Sequence, residues 1–167
     1  MCVEESLCEP IPYICEATGQ CDAIPQGDRC EDPFIIDALP YNHSTDTDDF
    51  FNIYWYGSNQ CPGVNGARGS GSNDVVYAFT PTETAIYKIA LDSNYDSNLY
   101  IVKDCEHIAD TCIAADDDKG KSADEKIYTT LTADAPVFII VDGRYNNSNA
   151  SGDVTLTVNL CVPDCEE

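Results

Sequence analysis

The sequence predicts an all-β fold, an antiparallel two-sheet β-sandwich with a disulfide-stapled N-terminal arm. Three observations point there. About nine short apolar runs are separated by turn chemistry, and no stretch supports a helix of about 10 to 12 residues. Ten cysteines accompany a single methionine in 167 residues. An even cysteine count in a small acidic chain reads as a disulfide framework made in an oxidising compartment.

The arm comes first. Cys2, Cys8, Cys15, Cys21 and Cys30 are closely spaced, with Pro10, Pro12, Pro25, Gly19 and Gly27 between them and no apolar period. Residues 1–29 therefore read as a stapled arm without a core of its own, and residues 30–167 as the sandwich domain. The predicted strands follow: 34–39, 50–56, 75–80, 85–91, 99–102, 113–115, 127–131, 137–142 and 154–160. The last is the cleanest, with Val154, Leu156, Val158 and Leu160 alternating against Thr155, Thr157 and Asn159. One face of such a strand meets a core and the other meets water. Turn residues fill the gaps at 66–71, 92–98, 116–120 and 143–152. There is no internal repeat and no βαβ signature.

Charge narrows the function classes. Asp and Glu number 30 against 8 Lys and Arg, a formal net charge of −22. That surface repels phosphate backbones and anionic lipid, so no nucleic-acid partner is expected. The longest apolar run, Val137–Val141, is strand-sized, so no membrane insertion is expected. At 43% apolar residues, the chain still has enough hydrophobic content to fold. The opening Met1-Cys2-Val3-Glu4-Glu5 has neither a basic nor an apolar leader region, so if the protein is exported its signal is expected to be removed or to lie upstream. The expected location is secreted, extracellular or at the cell surface.

Two disulfides are expected within the sandwich. Cys105 and Cys112 flank a six-residue connection between two predicted strands and pair across it; Cys30 pairs with Cys61 around the first two strands. Cys2, Cys8, Cys15, Cys21, Cys161 and Cys165 remain, with fifteen pairings open. Cys161 and Cys165 can bridge locally, tie the arm to the sandwich, or reach another subunit. With no Cys-x-x-Cys and two histidines, zinc and thioredoxin-type sites fit poorly.

Carboxylates crowd the turns. Asp92-x-Asn94-x-Asp96 opens like an EF-hand, but Ser97 and Lys103 stand where Gly and a bidentate Glu are required. A calcium site built across sandwich loops needs no contiguous motif. Its candidate ligands are Asp96, Asp116, Asp117, Asp118 and Asp124, the alternative being a solvated acidic surface. Catalytic signatures are absent: no Gly-x-Ser-x-Gly, no His-Glu-x-x-His and no Walker loop. Gly69-Ser70-Gly71-Ser72 precedes a strand, so it is a loop. His43 and His107 fall in predicted loops as structural histidines. The chain is thus expected not to be an enzyme.

As a strand, 50–56 turns Phe51, Ile53 and Trp55 to the core and Phe50, Tyr54 and Tyr56 outward. The outward set is either buried beneath the arm or forms a sugar-stacking or subunit contact. Asn42, Asn146 and Asn149 open glycosylation sequons in predicted loops.

From Cys30 onward the order of motifs resembles a known family. It comprises Gly71-Ser72-Asn73-Asp74-Val75-Val76-Tyr77-Ala78-Phe79-Thr80-Pro81, then Tyr87-Lys88-Ile89-Ala90-Leu91 and Tyr95-Asp96-Ser97-Asn98-Leu99-Tyr100-Ile101. Cys105 to Cys112, Ala114-Ala115-Asp116-Asp117-Asp118, Leu131-Thr132-Ala133 and Phe138-Ile139-Ile140-Val141-Asp142-Gly143 follow. Over roughly residues 30–160 this is similar to the bacterial pre-peptidase C-terminal (PPC) domain, especially the cysteine-containing type of secreted deltaproteobacterial proteins. The resemblance implies a jelly-roll-like β-sandwich, non-catalytic, in some members calcium-binding, attached to secreted hydrolases or surface proteins. The expected function is an extracellular structural protein that self-associates at the cell surface as a homo-oligomer or filament subunit, with a role in adhesion. The alternative is an accessory module that binds a glycan or another extracellular polymer for a secreted hydrolase.

Overall fold

A computed structural model describes residues 13–15, 21–117, 124–144 and 150–161. In chain order, β1 (Tyr13–Cys15) pairs with β2 (Cys21–Ala23), antiparallel and separate from the other sheets. Then come β3 (Phe34–Ile36), β4 (Tyr41–Asp46), a 3₁₀ turn at Thr47–Asp49 and β5 (Val75–Phe79). β6 (Ala85–Ser93), β7 (Ser97–Val102) and the single-turn α1 (Ile108–Thr111) lead to β8 (Cys112–Asp116). β9 (Glu125–Leu131), β10 (Val137–Gly143) and β11 (Asp153–Leu160) complete the order.

A five-stranded sheet runs β3-β5-β10-β7-β8 and a four-stranded sheet runs β4-β11-β6-β9. Every pairing is antiparallel except β3 with β5. The main core lies between the sheets. Val75, Tyr77, Leu99, Ile101, Ile139 and Val141 of one meet Ile89, Leu91, Ile127, Val154, Leu156 and Val158 of the other. Period-two alternation in β6 and β11 supplies one buried face each, as the sequence predicts for 154–160.

The five-stranded sheet differs in being covered on both faces. Every residue of β7 is buried, and β5 and β10 are nearly so. Val76, Tyr100, Val102, Ala115 and Ile140 form the floor of a second cluster, capped by Tyr56, Cys61, Val64, Cys105 and Ile108. The cap comes from outside the strands, mainly the long β4–β5 connection.

Two expectations about elements need correction. Residues 50–56 do not form a strand; after Phe50 the segment is irregular, with one isolated bridge between Tyr56 and Arg68. Conversely, Asn42 and His43 lie on β4 and not in a loop. β4 carries little apolar alternation because it is a sheet edge. Its place is set by pairing with β11, including Thr155 opposite Ser44 with their hydroxyls 2.8 Å apart.

The disulfides also exchange partners. Cys30 bonds Cys105 and Cys61 bonds Cys112, with Cα separations of 6.4 and 5.2 Å, in place of Cys105–Cys112 and Cys30–Cys61. Cys105 and Cys112 stand at either end of α1, where the β7–β8 connection meets the covering segments. Each therefore staples a different piece of the cover to the sheet, not the hairpin to itself. Cys161 is also disulfide-bonded. Cys2, Cys8 and Cys165 lie outside the described residues, as do the side chains of Cys15 and Cys21.

Non-reducing peptide mapping is expected to recover the Cys30–Cys105 and Cys61–Cys112 pairs. Because the latter closes a sequence separation of 51 residues, the Cys61→Ser/Cys112→Ser variant is expected to lose about 4 kcal/mol in denaturant titration.

Candidate functional site

The β4–β5 connection is held down by carboxylates. Asp74, the residue before β5, is fully buried, and its Oδ2 accepts from the backbone N–H of Ile53 at 2.8 Å and of Tyr54 at 2.9 Å. Asp28, also fully buried, accepts from Phe51 N–H at 2.7 Å. The Tyr54 hydroxyl accepts from Cys30 N–H at 2.9 Å, and the Tyr56 hydroxyl donates to Asn98 Oδ1 at 2.7 Å. Gly27 is already tied to the sandwich, its carbonyl accepting from Val76 N–H at 2.7 Å.

This anchoring departs from the predicted facing of the aromatic run at Trp55 and buries two of the outward set. Phe50 and Tyr56 are buried and Tyr54 is half-buried, whereas Trp55 is 56% exposed. A strand partner would have imposed strict alternation. Here backbone donors go to Asp28 and Asp74, so the positions of those two carboxylates decide which rings turn inward.

Trp55 borders a cleft of about 570 Å³, walled by Ile53, Tyr54, Cys105 and Ile108. Glu31, Glu106 and Asp110, all exposed, line its rim. Arg29 also borders it but lies 3.5 Å from Asp28. His107 sits at the rim with Nδ1 2.9 Å from Asp104, whose carboxylate raises the imidazole's pKa. The other histidine, His43, packs against Phe34 at a centroid distance of 4.5 Å, with Nδ1 3.0 Å from the Tyr77 hydroxyl. Its burial lowers the pKa, so it is a structural imidazole held in its neutral form.

Beneath the cover lies a row of buried acids. Asp142 on β10 is opposite Asn98 on β7, with the Tyr100 hydroxyl against its carboxyl. Asp142 Oδ2 fills the space where a side chain at residue 69 would begin: a Cβ on Gly69, whose φ is +87°, would stand 1.9 Å from it. Only glycine suits this position, for its backbone angle and for the close approach. Burial raises the pKa of Asp74 to about 8, with the Asp28 carboxylate adding to it, and burial together with the Asp74 charge pushes Asp142 well above the ordinary carboxylate range.

Four of the five expected calcium ligands lie among the described residues. Asp117 is paired with Arg68 and, at 3.2 Å, with Arg144; Arg144 also reaches Asp96 at 3.6 Å. Asp116 accepts backbone N–H groups from Asp117 and Lys126, and Asp124 pairs with Lys126 at 3.4 Å. Asp118 lies outside the described residues. Among the described residues, no three carboxylate, histidine or cysteine side chains converge as a metal set. Asp96 and Asp117 do come together, around the guanidinium groups of Arg68 and Arg144. Asn42 is an exposed position on β4, and Asn146 and Asn149 lie outside the described residues.

Sequence reasoning missed Asp28, Asp74, Asp142, Arg68 and Arg144, because an aspartate beside a strand reads equally well as turn chemistry. It also placed Trp55 in the core.

No family model and no curated protein matches the chain. Among solved structures, the chain is similar to the pre-peptidase C-terminal domain of a Bacillus anthracis collagenase. That match has a TM-score of 0.49 and 12% identity, covering 83% of this chain and 100% of that one. It is also similar to PliG of Aeromonas hydrophila, a periplasmic inhibitor of g-type lysozyme (0.47, 9% identity, 77% and 96% covered). A third is a β-glucosidase of Kluyveromyces marxianus in complex with glucose (0.42, 14% identity), where 72% of this chain matches 13% of that protein.

The buried acids set a pH dependence. An acid whose pKa is about 8 when folded and near 3.9 when unfolded binds its proton more tightly in the folded state. Its contribution is therefore complete below about pH 4 and is lost as pH rises to about 8, by at most about 1.4 kcal/mol per unit. Asp74→Asn, which keeps an acceptor for Ile53 and Tyr54, is expected to match wild type in denaturant melts near pH 4. It is expected to be the more stable protein near pH 8.5.

Proposed function

We propose that this chain is an extracellular, non-catalytic recognition module, a disulfide-braced β-sandwich that binds a partner or polymer through the cleft beside Trp55. The observation that carries this reading is the exposed indole. On a segment anchored by two carboxylates and flanked by two disulfides, it presents a large, already ordered amphipathic surface beside a cleft. The neighbouring rings at 50 and 56 are buried and that at 54 is half-buried, so Trp55 is the ring this segment leaves most exposed. Rigid presentation suits binding, since little order remains to be imposed when a ligand arrives. Among the described residues, no helix is long and apolar enough to cross a membrane. The disulfides support an oxidising location outside the cytosol.

A second reading, a self-associating surface or filament subunit, is favoured by a different residue. Ile35 is 57% exposed on β3, the three-residue edge of the five-stranded sheet. An apolar side chain on an unpaired edge is a natural place for a second copy to add a strand.

Both readings have direct tests. On arrays of extracellular polysaccharides and polypeptides, the wild-type chain is expected to bind at least one class. Trp55→Ala, with an unchanged melting temperature, is expected to bind none; equal binding by the two proteins would overturn the recognition reading. In sedimentation velocity, self-association predicts concentration-dependent oligomers that Ile35→Asp dissolves, and a monomer at all concentrations would remove it.

A further inference from the structure

The cleft's composition narrows its ligand, on the reading that this cleft is the recognition surface. It is lined by Trp55, and tryptophan is the strongest of the aromatic side chains at attracting a cation. Its rim carries the three exposed carboxylates of Glu31, Glu106 and Asp110. Each positive group at the rim stands beside an acid of its own, Arg29 Nε 3.5 Å from Asp28 and His107 Nδ1 2.9 Å from Asp104. The cleft therefore offers an indole and an excess of exposed carboxylates together. Around it lies a chain of net charge −22, whose field concentrates cations and draws basic partners in.

Ile53 and Ile108 add apolar wall. Such a wall suits the methylene stem of a long basic side chain, which packs against hydrocarbon while its head group stays with the carboxylates. A guanidinium fits this combination better than an ammonium. It is flat, stacks on an indole, is weakly hydrated, and pairs with a carboxylate through two parallel hydrogen bonds.

We propose that the Trp55 cleft takes an arginine side chain presented by a basic segment of a partner protein. The guanidinium stacks on the indole and pairs with the rim carboxylates, Glu31 and Glu106 first. Binding then weakens as salt rises, because the attraction is carried by exposed charges that salt screens.

Trp55 is the single tryptophan in the chain, so its fluorescence reports on the cleft directly. The experiment titrates the full chain with a capped peptide containing two arginines, with the same peptide carrying glutamine in their place, and with a neutral cello-oligosaccharide. The arginine peptide is expected to change Trp55 emission saturably, with an affinity that falls on adding salt, while the glutamine peptide leaves it unchanged. Glu31→Gln/Glu106→Gln, two exposed sites whose folding is checked by the melting temperature, is expected to weaken the arginine peptide about tenfold. If the oligosaccharide perturbs Trp55 and the arginine peptide does not, the cationic ligand is wrong and the recognition reading stands. If both peptides bind equally, or the double variant binds as wild type, the charge argument is overturned. Silence from all three probes also rejects the arginine ligand. The recognition reading itself falls only when Trp55→Ala keeps the array binding of wild type.

Discussion

The five-stranded sheet is apolar on both sides, and the rest of the molecule follows from the need to cover its second face. In a two-sheet sandwich the partner sheet buries one face, and the outer face ordinarily meets water through alternating polar residues. Here Val76, Tyr100, Val102 and Ile140 occupy that outer face. The cover is a connection with almost no secondary structure of its own, so its backbone donors must find partners elsewhere. Asp28 and Asp74 supply them, and the two disulfides pin the cover at both ends of α1. A loop of this kind would otherwise open readily, since few of its own hydrogen bonds hold it shut.

This solution brings acids into places where acids are expensive. Asp74 and Asp142 stand close beneath the cover, and two buried carboxylates near one another cannot both ionise at ordinary cost. Asp96 and Asp117 are instead answered by Arg68 and Arg144, two of only 8 basic residues in the chain. Both arginines are thus committed to carboxylates that are themselves largely buried. The Trp55 rim keeps its three exposed carboxylates.

Function in this reading is a by-product of how the cover is built. Carboxylates that grip the backbone at residues 51, 53 and 54 set the facing of the next residue, and the indole at 55 is turned out beside the Cys30–Cys105 bridge. The scaffold is rigid because its brackets are covalent or buried. A binding surface made this way needs no moving part.

Much of the fold was legible from the chain alone. Strict alternation in 154–160 announced a one-faced strand, and the unbroken apolar runs 99–102 and 137–141 announced strands of another kind. Such runs signal burial on both faces, a message available in the sequence but not there converted into the expectation of a cover. The facing of residues 50–56 was not legible, because alternation arguments assume a neighbouring strand, and this segment has only one isolated bridge. Nor were the disulfide partners: nearness in sequence favoured Cys105 with Cys112, whereas both sit where the sheet meets its cover. What the amino-acid order determined by itself was the all-β scaffold, the cysteines that brace it and the acidity of its surface, since periodicity, residue chemistry and charge are local or additive. What only the tertiary structure decided was which acids are buried, which cysteines meet and which aromatic faces solvent. Those outcomes depend on contacts between residues far apart in the chain, and no local pattern encodes them.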